Sequence, residues 1–127
     1  LTNLPTGLKY AESHEWADLD EQNIVKVGIT DHAQEELGDL VFIELPEIGN
    51  RVSAGEQCAV VESVKAASDI YSPVSGVIVE VNGALLDSPE KVNDDAFSAW
   101  LFSVKIDNAD ELEKLMDADG YNAMINA

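Results

Sequence analysis

Residues 58–64 and 70–74 are two short, largely apolar runs on either side of Lys65-Ala66-Ala67-Ser68-Asp69. Two strand-length runs joined by a few residues form a hairpin. This puts Lys65 at or near the tip, exposed, with Glu62 and Asp69 close to it in sequence. The same rhythm of short apolar segments broken by turn signals fills the first hundred residues. It predicts a small, mainly β domain of many short strands, with helices as accessories.

Along the chain, residues 14–17 and 24–29 read as a strand pair across the polar turn 18–23. A short internal helix follows, with Asp31 as N-cap, Gln34 completing a capping box and Gly38 as the stop. Residues 40–45 form the next strand, ended by Pro46, and 47–50 and 52–55 are turns. After the Lys65 hairpin, Ser75-Gly76 turns into Val77-Ile78-Val79-Glu80-Val81, where the alternation puts Val77, Val79 and Val81 on one face. Asn82-Gly83 signals a turn, and 100–106 is a further strand. Asp107 or Asn108 then caps a C-terminal helix with Leu112, Leu115 and Met116 on one face and Asp110 and Glu111 in the first turn. Gly120 ends this helix, and 121–125 adds one more turn. A length of 127 residues fits one domain, 1–127, with a single modest core.

The formal charge of −18, from 7 basic and 25 acidic residues, bounds the partners. Phosphate binding needs Lys and Arg to displace counterions, so the charge argues against nucleic acid and equally against an anionic membrane surface. It favours proteins with basic docking faces, while also serving as solvated surface. No apolar stretch approaches the ~20 residues of a membrane span. The run 1–7 lacks the charged start and apolar middle of a secretory signal, and an opening Leu1 is compatible with a trimmed organelle-targeting segment.

Few residues are equipped for chemistry. Cys58, the single cysteine, lies in an apolar run and reads as a small core residue. His14 and His32 are far apart in sequence, and with no CxxC the usual soft ligands of a structural zinc site are missing, so no metal is expected. Asp117-Ala118-Asp119-Gly120 lacks the rest of a calcium loop. No GxGxxG, Walker A or GxSxG segment is present. The acid pairs Glu35-Glu36 and Asp94-Asp95 have nothing apolar arranged to raise one pKa, so a small acidic hydrolase is disfavoured. Lys65 remains. Its amine starts near about 10.4, and acidic neighbours do not suit a nucleophile of its own, which requires a desolvated amine. An exposed amine in an acidic turn suits recognition by a modifying ligase that deprotonates it in the ligase's own site.

The segment Glu62-Ser63-Val64-Lys65-Ala66-Ala67-Ser68-Asp69-Ile70-Tyr71-Ser72-Pro73-Val74-Ser75-Gly76 resembles the lipoyl-attachment segment of the glycine cleavage system H proteins. Leu8-Lys9-Tyr10, Ser13-His14-Glu15-Trp16, Val27-Gly28-Ile29-Thr30-Asp31-His32-Ala33-Gln34, Leu37-Gly38-Asp39, Glu44-Leu45-Pro46 and Asp87-Ser88-Pro89 resemble that family too, in the same order. The resemblance covers nearly the whole chain. It implies a lipoyl/biotinyl-like β-barrel-sandwich hybrid with a short internal helix and a C-terminal helix.

It also implies a carrier without catalytic activity of its own, bearing lipoic acid in amide linkage on Lys65. Its partners would be glycine decarboxylase (P protein), which loads an aminomethyl group; aminomethyltransferase (T protein), which passes the carbon to tetrahydrofolate; dihydrolipoamide dehydrogenase (L protein), which reoxidises the dithiol; and a lipoate ligase or lipoyl transferase. A lysine–lipoyl arm reaches roughly 14 Å when extended. Glu15 and Asp69 match the family's arm-contacting acids, with Ser13, Ile29 and His32 as neighbours. Such a cleft would hold the loaded amine by charge-assisted hydrogen bonds and keep water out.

One stretch departs from the family pattern. Asp94-Asp95-Ala96-Phe97-Ser98-Ala99-Trp100 stands where an Asn/Asp-Pro-Tyr-Gly-like run before Gly-Trp is usual, so a looser turn is expected there. A biotin carrier is disfavoured, because Val64 and Ala66 flank the lysine where biotin sites usually have Met. A lipoyl domain of a 2-oxoacid dehydrogenase-type complex, or a lipoyl relay protein, is the alternative, although the Pro/Ala-rich linker of the former is missing. The expected location is a bacterial cytoplasm, with the mitochondrial matrix as the alternative.

Overall fold

In a computed structural model that describes residues 4–126, nine strands form two antiparallel sheets. The larger contains β1 (Lys9–Tyr10), β2 (Glu15–Leu19), β3 (Ile24–Ile29), β5 (Arg51–Val52), β8 (Gly76–Val81) and β9 (Phe102–Ile106), in the order β1-β2-β3-β9-β8-β5. The smaller contains β4 (Leu40–Glu44), β6 (Gln57–Ser63) and β7 (Ala67–Tyr71), in the order β4-β6-β7. The mainly β architecture expected from the segment rhythm is present. Residues 1–3, which begin the run read above for a secretory signal, and residue 127 lie outside the described residues. No helix among the described residues is long and apolar enough to cross a membrane.

Period-2 alternation turns Val25 and Val27 of β3 inward, with Lys26 exposed between them. They join Ile43 of β4, Ala59 and Val61 of β6 and Ile70 of β7 in one buried cluster between the sheets. A second cluster is built on Tyr10, Trp16 and Tyr121. Tyr10 stacks on Tyr121 with centroids 4.9 Å apart, and β1 is tied to Met116 by reciprocal backbone bonds of 2.7 and 2.8 Å. Gly28 lets the Trp16 indole lie flat on β3: a Cβ there would stand 2.5 Å from the ring.

Several local expectations are corrected. The internal helix α1 (Asp31–Leu37) is capped by Thr30, whose hydroxyl accepts the Ala33 N–H at 3.2 Å; Asp31 is already helical. Gly38 does end it, at φ 85°. The turn 18–23 is shorter than read, because β2 runs to Leu19. Residues 52–55 are not all turn, since Arg51–Val52 pairs with β8. In β8 the buried side chain is Ile78 and Val79 is exposed, and a register shift between Ile78 and Glu80 then sets Val81 opposite the buried Phe102, so the three valines do not share one face. Two short helices, α2 (Ala84–Asp87) and α3 (Lys91–Asp94), occupy the stretch after Asn82-Gly83.

The C-terminal helix expected from 107 onward is two elements. Asn108 caps a 3-10 helix, Ala109–Lys114, and Asp117 starts α4 (Ala118–Ile125) by accepting the Gly120 N–H at 2.8 Å. Gly120 therefore lies in a first turn and stops nothing. The turn at 95–99 is closed rather than loose. Asp95 accepts backbone bonds from Ser98 and Ala99 at 3.2 and 3.1 Å, Ala96 and Ala99 are buried, and the Ala96 carbonyl accepts the Trp16 indole N–H at 3.1 Å.

Candidate functional site

Strands β6 and β7 turn through Val64, Lys65 and Ala66, all exposed. The Ser63 N–H donates to the Ala66 carbonyl at 2.7 Å, and the Ser63 hydroxyl accepts the backbone N–H groups of Lys65 and Ala66 at 3.2 and 3.1 Å. One side chain thus holds both turn amides in place. A further bond, Val64 N–H to the Asp39 carbonyl at 3.2 Å, fastens the tip to the start of β4. The Lys65 stem passes Gly38, where an added Cβ would lie 3.7 Å from Cε. Lys65 takes part in neither ion pair found among the described residues, so Glu62 and Asp69 leave the amine free of direct pairing.

A groove of about 220 Å³ runs beside the inner end of this hairpin. Ser13, His14 and Ile29 line it from the larger sheet's side, Ala33, Glu36 and Leu37 from α1, and Ser68 and Ile70 from β7. A second cavity of about 320 Å³ is lined by Ser13, Glu15 and Tyr71 among others. Of the expected arm-contacting residues, Ser13 and Ile29 meet in the first space, and Ser13 and Glu15 in the second. Asp69 is exposed, and alternation along β7 sets it on the face opposite Ser68 and Ile70. His32 stands at the edge, on α1, with its ring 4.9 Å from that of His14 and its Nε2 3.0 Å from Glu36 Oε1.

Glu15 is 1% exposed. Its carboxylate accepts the Ser13 hydroxyl and, at 3.1 Å, the Tyr71 N–H. Burial pushes its pKa up from 4.5 to about 7, and these two hydrogen bonds hold it from rising further. His14 is held below the ordinary histidine value by burial and then by His32, with Glu36 opposing. Its Nδ1 lies 2.6 Å from the Tyr121 hydroxyl, itself 2.8 Å from Thr30 Oγ1. Burial, then Glu15 and Glu56, push the Cys58 thiol up to about 12. That makes it the inert, core-packed cysteine its apolar setting predicted.

Sequence reasoning passed over His14, Glu36 and Ser68 as groove residues. The i,i+4 spacing of His32 and Glu36 within a helix was a legible signal. Nothing local marked His14, which reaches the group from a turn at φ 75°.

The family model described as "Glycine cleavage H-protein" matches residues 8–127. The chain is 60% identical over 124 residues to the glycine cleavage system H protein of Methylococcus capsulatus, covering 98% of each chain. It is 56% identical over 127 residues to glycine cleavage system H protein 2 of Pseudomonas aeruginosa, covering 100% of this chain and 98% of that one. Among solved structures, a glycine cleavage system H protein from Mycobacterium marinum superposes with a TM-score of 0.90 at 42% identity, over 98% of this chain and 100% of that one.

Proposed function

The chain belongs to the glycine cleavage H-protein family, the lipoyl carriers of the glycine cleavage system, and from that premise we propose that Lys65 is its lipoyl-bearing residue. The observation that carries this reading is the hairpin tip. Lys65 is exposed, unpaired among the described residues, and its backbone is fixed by Ser63 and Asp39. The site fits the group, since the amine stands on a solvated stem and its neighbours Ala66 and Ala67 are small and exposed. When bound, lipoic acid supplies a disulfide that takes up the aminomethyl group and is left as a dithiol for reoxidation. The rest is position and shelter, which this chain's own residues provide.

Ser13, Ile29, Ser68 and Ile70 give the groove one polar and one apolar lining residue from each sheet's side. That combination suits an aliphatic arm with a polar end. Glu15 lines the neighbouring cavity as an acceptor, His32 stands beside Glu36 of the groove wall, and Asp69 contributes charge on the outer face of β7. The chain performs no chemistry by itself. It is a substrate for P, T and L proteins and for a lipoate ligase or lipoyl transferase. Its charge of −18 supports docking on basic faces of those enzymes. The bacterial relatives support a bacterial cytoplasm as its location. A whole-chain match over 8–127 favours this reading over a lipoyl domain of another complex.

Intact mass of protein from a lipoate-replete host tests the assignment. A lipoyl-sized increment, absent in Lys65→Arg, is the expected result, and an increment that survives this substitution would refute it. Glycine-dependent decarboxylation with added P protein then distinguishes this carrier from other lipoyl domains.

A further inference from the structure

Beyond the lysine tip, the fold gathers three metal-ligating side chains that are spread through the sequence. His32 and Glu36 share one face of α1, and His14 comes to them from the turn before β2. Each offers a ligand atom within 4.8 Å of those of the other two. We propose that His14, His32 and Glu36 form a binding site for a borderline divalent transition-metal ion of the Zn2+ class.

Three features of the surroundings set this group apart from a chance meeting of surface side chains. The first is the support behind His14. The buried Tyr121 hydroxyl sits 2.6 Å from Nδ1, and the buried Thr30 hydroxyl sits 2.8 Å from Tyr121. With an ion on Nε2, the ring N–H at Nδ1 donates to the Tyr121 oxygen, and the Tyr121 hydroxyl in turn donates to Thr30 Oγ1. An outer-shell relay of this kind fixes the tautomer and aim of a ligating imidazole. The second is the backbone. His14 takes φ 75°, and among the described residues only Asn23 is the other non-glycine with positive φ. The His14 carbonyl is fastened by the Thr30 N–H at 3.0 Å, so the turn is tied to the start of α1 with the two imidazole rings 4.9 Å apart. The third is the helix pair. His32 Nε2 and Glu36 Oε1 are already 3.0 Å apart.

The spacing fits the ion with a small adjustment. Ligand atoms around a tetrahedral ion with bonds of 2.0–2.1 Å stand roughly 3.3 Å from one another. All separations here lie within 4.8 Å and close to that by rotation of His32, which is partly buried, and Glu36, which is exposed. Two imidazoles and one carboxylate suit Zn2+, Co2+ or Ni2+ rather than Mg2+ or Ca2+. A fourth position is left for water or another donor. His14 and Glu36 also line the inter-sheet groove, so the ion would sit at its wall and join the β1–β2 turn to α1.

Calorimetric titration of Zn2+ into the full chain, expressed without lipoate so that no dithiol contributes, tests the site. The expected result is one saturable equivalent, unaffected by excess Mg2+. His32→Asn, Glu36→Gln and His14→Asn (Asn tolerates the left-handed backbone) should each weaken it by about tenfold or more. Glu35→Gln, an exposed acid next in sequence and outside the cluster, should leave it unchanged. Glu36 is itself largely exposed, so its variant folds normally and keeps the test decisive. Co2+ in place of Zn2+ should give visible absorption that is lost in the same three variants. No saturable binding, or equal binding in wild type and all three variants, would overturn the proposal.

Discussion

Glu15 of β2 accepts the backbone N–H of Tyr71 of β7 at 3.1 Å, so one buried carboxylate spans the two sheets. The unfolded carboxyl titrates near 4.5 and the folded one near 7, which means the folded chain binds this proton more tightly. Its contribution to stability is fully present below about pH 4.5 and is lost as pH rises through about 7. In Glu15→Gln the amide oxygen still accepts the Tyr71 N–H while the amide nitrogen donates to the Ser13 hydroxyl, and the buried charge is removed. At pH 8 the variant should exceed wild type in stability by an amount on the order of 3 kcal/mol, since the folded carboxyl holds its proton up to about 7 and the unfolded one only to 4.5, at about 1.36 kcal/mol per pH unit. The difference should shrink towards pH 5. His14, whose folded pKa is lowered, acts in the opposite sense and loses its contribution as pH falls, so the wild-type-minus-variant difference in denaturant midpoints isolates Glu15. A difference that stays constant between pH 5 and 8 would show that Glu15 does not titrate in that window.

Lys65→Arg should leave thermal stability within about 0.5 kcal/mol, since an exposed turn side chain with no ion pair contributes little. The same protein should accept no lipoyl group in a ligase reaction followed by mass. A large loss of stability would mean that the side chain supports the tip.

Ser63→Ala separates tip order from tip chemistry. The hydroxyl accepts two turn amides at 3.2 and 3.1 Å. Water replaces it at an exposed bend, so the stability loss should be about 1 kcal/mol or less. A pre-ordered lysine costs a ligase less to bind, so kcat/KM for lipoyl transfer should fall several-fold while the melting temperature barely moves. An unchanged transfer rate would remove Ser63 from the recognition of the tip.

Gly76 faces Val52 on one side and Ile106 on the other, and an added Cβ would fall on the Lys105 carbonyl oxygen. Gly76→Ala must therefore push β8 from β9, at a cost of roughly 1–3 kcal/mol. Denaturant unfolding measures this directly. A neutral result would show that the β8–β9 ladder shifts without penalty.

The hairpin that presents Lys65, the strand pairs on either side of it and the stop at Gly38 were legible because each depends on nearest neighbours: apolar alternation, a small-residue bend, a glycine able to take positive φ. The reading failed where neighbours compete. Thr30 and Asp31 are both good caps, and the hydroxyl of Thr30 reaches Ala33. Val77, Val79 and Val81 alternate cleanly in sequence, yet a bulge between Ile78 and Glu80 breaks their common face, and Ile78 is the core residue. Gly120 reads as a stop but follows Asp117, whose carboxylate starts a new helix there.

The linear order of residues was enough to settle the mainly β class, the exposed lysine at the hairpin tip and the family, since strand alternation, turn chemistry and an ordered set of motifs are written in consecutive positions. It was silent on which distant groups share a space. That Glu15 is buried against Tyr71, and that His14 lies beside His32 and Glu36, follows from how two sheets and one helix pack. Such contacts arise from desolvation and cross-sheet hydrogen bonding between segments far apart in sequence, 56 residues for Glu15 and Tyr71, and no window of neighbouring residues contains them.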